Sequence, residues 1–143
     1  MLRTVNKNKV GWQDINDVEI GQNINYELLS NVPNMNGYDT YYFAFHDTMD
    51  KAFTFDKDSV SVEIYGKDGN LEKSYFLKPE EFSVKTNVGE ETFVIEITDL
   101  KAIVDREYSK GIDSHKHNEY GQDIRVRYNA KLNDEARFEH VQI

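Results

Sequence analysis

The sequence predicts an all-β fold, an immunoglobulin-like Greek-key β-sandwich, and three observations carry that prediction. Apolar residues recur at every second position along several separate runs. Turn-forming residues separate those runs at roughly 8–12-residue intervals, the spacing of short antiparallel strands. Only one stretch, near residues 100–109, has the apolar spacing of a helix.

Each run supports a strand. Ile24, Tyr26 and Leu28 share one face, with Asn25 and Glu27 on the other. Tyr41, Phe43 and Phe45 share a face, and Asp47 continues their parity. Val60, Val62 and Ile64 alternate with Ser61 and Glu63, and Phe93, Ile95 and Ile97 with Thr92, Val94 and Glu96. The longest alternation sets Ile124, Val126, Tyr128, Ala130 and Leu132 against Asp123, Arg125, Arg127, Asn129 and Lys131. One apolar and one polar face describes a sheet packed on one side and wet on the other. Turns are expected at Pro33-Asn34-Met35-Asn36-Gly37, at Gly66-Lys67-Asp68-Gly69-Asn70 and at Val88-Gly89-Glu90. In the helical stretch Asp99 is the expected N-cap, Leu100, Ile103 and Val104 the apolar stripe, and Gly111 the stop.

The chain has 143 residues, so residues 1–143 are expected to form one domain with a core of its own. Apolar residues make up 38% and aromatic residues 13%, enough to pack that core without disulfides, and there is no cysteine to form one. A net charge of −9 disfavours nucleic acid and anionic membrane surfaces as partners. No apolar run approaches the length of a membrane span, and Met1-Leu2-Arg3-Thr4 lacks a signal-peptide core.

Few residues point to chemistry. His115-Lys116-His117, flanked by Asp113 and Glu119, falls short of the three or four convergent ligands a metal needs and reads as a solvated loop. The chain has no Gly-rich phosphate loop, G-x-S-x-G or H-E-x-x-H, and nothing in it calls for a cofactor. Asp47 is more telling, because its parity aims a carboxyl at an aromatic core, where burial favours the neutral acid. The competing reading makes it a cap for the turn Thr48-Met49-Asp50. Lys7 and Lys9 share the parity of Val5, which is either an inward face holding a lysine or an edge strand blunted by lysines.

Together these positions resemble the isopeptide-forming fimbrial domain of Gram-positive major pilins, over roughly residues 5–136. Val5-Asn6-Lys7, with Gly11 four residues after Lys7, is similar to that family's lysine strand. Val18-Glu19-Ile20-Gly21, Ile24-Asn25-Tyr26 and Val32-Pro33 follow in its order. Tyr42-Phe43-Ala44-Phe45-His46-Asp47-Thr48-Met49 resembles its aromatic strand, and Lys51-Ala52-Phe53-Thr54-Phe55 follows. Val126 to Ala136 is similar to its Tyr-x-Ala-x-Leu-Asn-x-x-Ala strand. The resemblance implies an autocatalytic, single-turnover reaction rather than a turnover enzyme. A lysine amine attacks an asparagine side-chain amide, ammonia leaves, and an amide cross-link remains. It implies Lys7 as nucleophile, with Lys9 the alternative, and Asp47 as the acid. Burial would keep the amine neutral and nucleophilic and the carboxyl protonated. Val5, Tyr41, Phe43, Phe45 and Phe138 would wall the groove.

The family's bonding asparagine lies on one further strand, about a dozen residues beyond the Leu-Asn-x-x-Ala segment, and this chain stops at Ile143. Asn129 and Asn133 have outward parity. The resemblance therefore implies a split domain, here a recombinant soluble fragment. It would capture a peptide strand carrying the asparagine and ligate to it. The parent would be an extracellular, cell-wall-attached pilus protein whose partners are other pilus subunits. Trimming or cleavage of the last strand is the other explanation. A non-covalent adhesin module remains open beside these, as does an enzyme built on the scattered acids.

Overall fold

The alternation in the sequence is realised as two antiparallel sheets. The computed structural model describes residues 7–9, 20–66, 70–111 and 120–137. Among these residues the strands, in chain order, are β1 (Lys7–Lys9), β2 (Asn23–Asn31), β3 (Phe43–Asp47), β4 (Phe53–Gly66), β5 (Asn70–Phe76), β6 (Ser83–Val88), β7 (Glu91–Ile97) and β8 (Asp123–Leu132), with one α-helix, α1 (Leu100–Gly111), between β7 and β8. The large sheet has the order β1-β2-β8-β4-β5 and the small sheet β3-β7-β6.

Strand β8 is the middle of the large sheet. It pairs with β2 over the whole length of that strand, Tyr26 opposite Tyr128 and Leu28 opposite Val126. On its other edge Val62 of β4 lies opposite Val126 and Ile64 opposite Ile124. Directly opposed residues share a face, so Leu28, Val126 and Val62 form one buried row. Burial alternates residue by residue along β8, and Ile124, Val126, Tyr128, Ala130 and Leu132 are all in the core. The small sheet supplies Phe43, Phe45, Phe93, Ile95 and Ile97 from the other side.

The register of β4 shifts between Asp56 and Ser61. The sequence carried a trace of this shift: Phe53 and Phe55 have one parity, Val62 and Ile64 the other. A β-bulge accounts for the switch, since extra residues return the strand to the same face. The irregularity is held locally. The Ser59 hydroxyl donates to the Asp56 carbonyl at 2.6 Å, the Asp58 N–H donates to the Asp56 carboxylate at 3.0 Å, and the Asn129 N–H donates to Ser59 Oγ at 2.7 Å.

The outer face of the large sheet is less wet than alternation implied. Glu63 and Tyr65 have outward parity yet are buried. The Arg125 guanidinium covers Tyr65, 4.7 Å from the ring centroid, and donates to its hydroxyl at 3.0 Å. Glu27 holds the same guanidinium through Nε at 2.6 Å.

Helix α1 forms as expected. The Asp99 carboxylate accepts the Ala102 N–H at 3.2 Å, the geometry of an N-cap, and also the Tyr41 N–H at 3.2 Å. Leu100, Ile103 and Val104 are its buried stripe. The turns fall where expected as well: Gly37 and Gly89 have φ of 86° and 61°, and Gly66 opposite Asn70 closes the β4–β5 hairpin, whose tip lies outside the described residues.

Two neighbours on β2 test the parity. Leu28 is fully buried and Leu29 is 43% exposed. Leu28→Ala is expected to lower the unfolding free energy by about 2–5 kcal/mol, and Leu29→Ala to change it by less than about 0.5 kcal/mol, measured by urea denaturation. Asp99→Ala is expected to cost about 1 kcal/mol in the same assay, through loss of the helix cap.

Candidate active site

Asp47 ends β3, opposite Phe93 of β7. It shares the parity of Phe43 and Phe45, both fully buried, so the strand that packs the aromatic core also carries a carboxyl to its rim. Across the sandwich stands Tyr128, in the middle of β8 and 1% exposed. Its hydroxyl donates to Asp47 Oδ2 at 2.9 Å. This hydrogen bond joins the large sheet to the small one.

The Tyr128 ring is held on several sides. It stacks on Tyr26, centroids 5.3 Å apart and planes 11° from parallel. Phe93 meets it at 4.9 Å and Phe55 at 5.7 Å, both edge to face, and Phe55 and Phe93 stack on each other at 4.4 Å. This aromatic packing buries the phenol end of the bond, so leaving the Tyr128 hydroxyl without its acceptor is expensive. Burial pushes the Tyr26 phenol up to about 12, with the Asp47 charge adding to the shift. Burial also raises Tyr128, followed by the Asp47 charge and the hydrogen bond to it.

The turn after β3 takes side-chain hydrogen bonds from Thr92 and Asp50. The Met49 N–H donates to Thr92 Oγ1 at 2.7 Å, and the Ala52 N–H to Asp50 Oδ1 at 2.9 Å.

Among the described residues, β1 is the outermost strand of the large sheet. Its register sets Lys7 opposite Leu28, Asn8 opposite Glu27 and Lys9 opposite Tyr26. Both lysines therefore occupy register positions matched to buried residues of β2, on a strand that is also an edge. Val5, Gly11, Phe138, His115 and His117 lie outside the described residues. Tyr41, Phe43 and Phe45 are buried as expected, but Tyr41 packs on Tyr38, at the end of β3 away from Asp47. The asparagines of the β8 segment stay outward. Asn129 is opposite Asn25 on one side and Asp56 on the other. Asn133 Nδ2 donates to the Lys51 carbonyl at 2.9 Å and to Thr54 Oγ1 at 3.1 Å. Among the described residues no group of three or more His, Cys, Asp or Glu is placed to hold a metal ion.

The residues around Asp47 that sequence reasoning passed over are Tyr26, Phe55, Phe93 and Tyr128. One signal was available: two tyrosines with inward parity, each bringing a hydroxyl that needs a partner once buried.

No family model matches the sequence. No curated protein matches it either. Solved structures do. The pilus backbone protein RrgB from Streptococcus pneumoniae superposes with a TM-score of 0.56 at 18% identity, over 92% of this chain and 27% of that one. The chain shares its fold with part of a pilus backbone. It spans about a quarter of RrgB's length, 27%. ACE19, the collagen-binding subdomain of the Enterococcus faecalis surface protein ACE, matches with a TM-score of 0.46 at 14% identity, over 82% of this chain and 68% of that one.

The raised phenols give a pH dependence with a definite sign. Tyr26 ionises near 10.0 when unfolded and near 12 when folded, so between these values the folded state binds more protons than the unfolded state. Its contribution to stability is intact below pH 10.0 and is lost as pH rises towards about 12. Urea unfolding across that window should show the decline, with the phenolate absorbance of the buried tyrosines appearing only as the fold is lost.

Proposed function

We propose that this chain is a pilin-type surface domain that forms a Lys–Asn isopeptide bond, with the asparagine carried by a strand that docks beside β1. The observation that carries this reading is the half-buried Asp47 carboxyl held at the rim of the aromatic core by Tyr128, in a sandwich whose β1 strand sets lysines at register positions opposite buried residues of β2. The shared fold with a pilus backbone supports it. So does the outward setting of Asn129 and Asn133, neither of which is offered to the interior as the amide partner. The domain's place is then extracellular, in a cell-wall-attached pilus, with other pilus subunits as neighbours.

The chemistry follows from the residue types. A strand adding to the β1 edge would satisfy its outer backbone groups and exclude water. In the dry site a proton passes from the lysine ammonium to the Asp47 carboxylate, leaving both groups neutral. The amine nitrogen attacks Cγ of the asparagine, while the Asp47 acid hydrogen-bonds the amide oxygen and polarises it. A new C–N bond forms and the Cγ–Nδ2 bond breaks. Asp47 relays one proton from the attacking nitrogen to the departing one, which leaves as ammonia. The carboxyl is restored, the lysine and asparagine are consumed, and the reaction happens once. By its spacing from Gly11, Lys7 is the amine that the family resemblance implies, with Lys9 as the alternative.

Denaturing intact-mass analysis of the chain, mixed with strand peptides that carry a central asparagine, tests the reading. The expected product has the summed mass of both parts less one ammonia. Asp47→Ala should leave docking in place and slow bond formation by about 10²–10⁴-fold. Docking without any covalent product, in the unaltered chain, would instead leave a non-covalent adhesin module.

A further inference from the structure

The outer face of the large sheet carries one cross-strand row with an unusual order. Register sets Leu29 of β2 opposite Arg125 of β8, Arg125 opposite Glu63 of β4, and Glu63 opposite Phe76 of β5. Four neighbouring strands thus present apolar, cation, anion and apolar in turn. The two ends are open: Leu29 is 43% and Phe76 54% exposed. The middle is already closed. Glu63 is buried, and the Arg125 guanidinium is engaged by Glu27 and by the Tyr65 hydroxyl.

Charge sets this face apart from the chain as a whole. Over β2, β8 and the part of β4 beyond its bulge, the outward acids are Glu27, Glu63 and Asp123, and the outward bases are Arg125, Arg127 and Lys131. These cancel, whereas the whole chain carries −9. A neutral face with apolar ends is where two copies of an acidic protein meet with least repulsion.

We propose that the outer face of the large sheet is a self-association surface, on which a second copy of this chain packs about a two-fold axis running along the strands between β8 and β4. The row is self-complementary under that operation. The axis exchanges β2 with β5 and β8 with β4. Leu29 then lies over Phe76 of the second copy and Arg125 over its Glu63, and each contact occurs twice. Unlike charges meet at the centre, and apolar side chains leave water at both ends. Moving the axis onto β8 would set Arg125 over Arg125, and moving it onto β4 would set Glu63 over Glu63, so the charges select one placement. The strand directions of the two copies stay within about 30° of each other, the aligned arrangement of packed sheets. Four strands by six residues span about 20 Å on a side, roughly 400 Å² of flat surface per copy, against about 800 Å² per partner in a standard interface. The dimer is therefore weak and reversible. The inference is independent of the isopeptide reading.

Sedimentation equilibrium of the unaltered chain, from about 10 μM to about 1 mM in about 0.15 M salt, reads the association. The weight-average mass is expected to rise from one chain towards two. Leu29→Glu and Phe76→Lys alter only the exposed ends of the row, so the urea unfolding midpoint of each should match that of the unaltered chain. Alone, each variant sets a charge against an apolar side chain at both ends and should weaken association by about tenfold or more. Mixed in equal amounts, the two variants place the new carboxylate over the new ammonium at one end and keep Leu29 over Phe76 at the other, so association should return. An unaltered chain that stays monomeric up to about 1 mM overturns the proposal and leaves the face to a partner of another kind. Association that persists in both variants overturns the choice of surface. Failure of the mixture to recover overturns the two-fold arrangement.

Discussion

The two-residue alternation of β8 is the constraint on which the rest of the structure depends. This strand is paired along both edges, so its inward residues pack beside those of both β2 and β4. Slipping it by one position would turn Ile124, Val126, Tyr128, Ala130 and Leu132 out together and bring in arginines, asparagine and lysine. That penalty fixes the register with β2 and β4 at once. Once the register is fixed, Tyr128 is opposite Tyr26, its hydroxyl is within the interior, and Asp47 has a donor across the sandwich. The candidate site is thus a consequence of strand register before it is a consequence of any particular loop.

The aromatic residues serve packing and electrostatics together. Rings of Tyr26, Phe55, Phe93 and Tyr128 fill the space between the sheets near Asp47. The same rings bury the Tyr128 end of that hydrogen bond, while Asp47 at its other end is half-buried. The other polar system of the large sheet, Arg125 with Tyr65 and Glu27, lies on its outer face. The two are separated by the backbone of β8 itself, because Arg125 and Tyr128 have opposite parity.

What could be read in advance follows from what periodicity encodes. Alternation tells which face a residue takes, and so the strands, the inward aromatic set and the direction of Asp47 were legible. The cap at Asp99 and the stripe of α1 were legible because their signals are local. Periodicity does not name partners. Asp47 and Tyr128 are 81 residues apart, and nothing short of the register joins them. For the same reason the sequence could not choose between the core and the following turn for Asp47. The burial of Glu63 and Tyr65 was hidden too, since the guanidinium covering the outer face comes from another strand. The parity switch within β4 was visible at Phe55 and Val62, but it becomes a bulge only when set against an unbroken β8.

The central place of β8 also governs when the domain can fold. In the large sheet β2 and β4 are not neighbours; each waits for β8 to come between them. Asn31 and Asp123, paired in that sheet, are 92 residues apart in the chain. Until β8 leaves the ribosome, the earlier strands have no middle to assemble on, and closing such long loops is slow compared with local hairpin formation. Synthesis therefore delivers a chain whose large sheet is still incomplete, and the sandwich closes late and as a unit. A chain in that state is still threadable, and the hydrogen bond from Tyr128 to Asp47 that joins the two sheets has not yet formed.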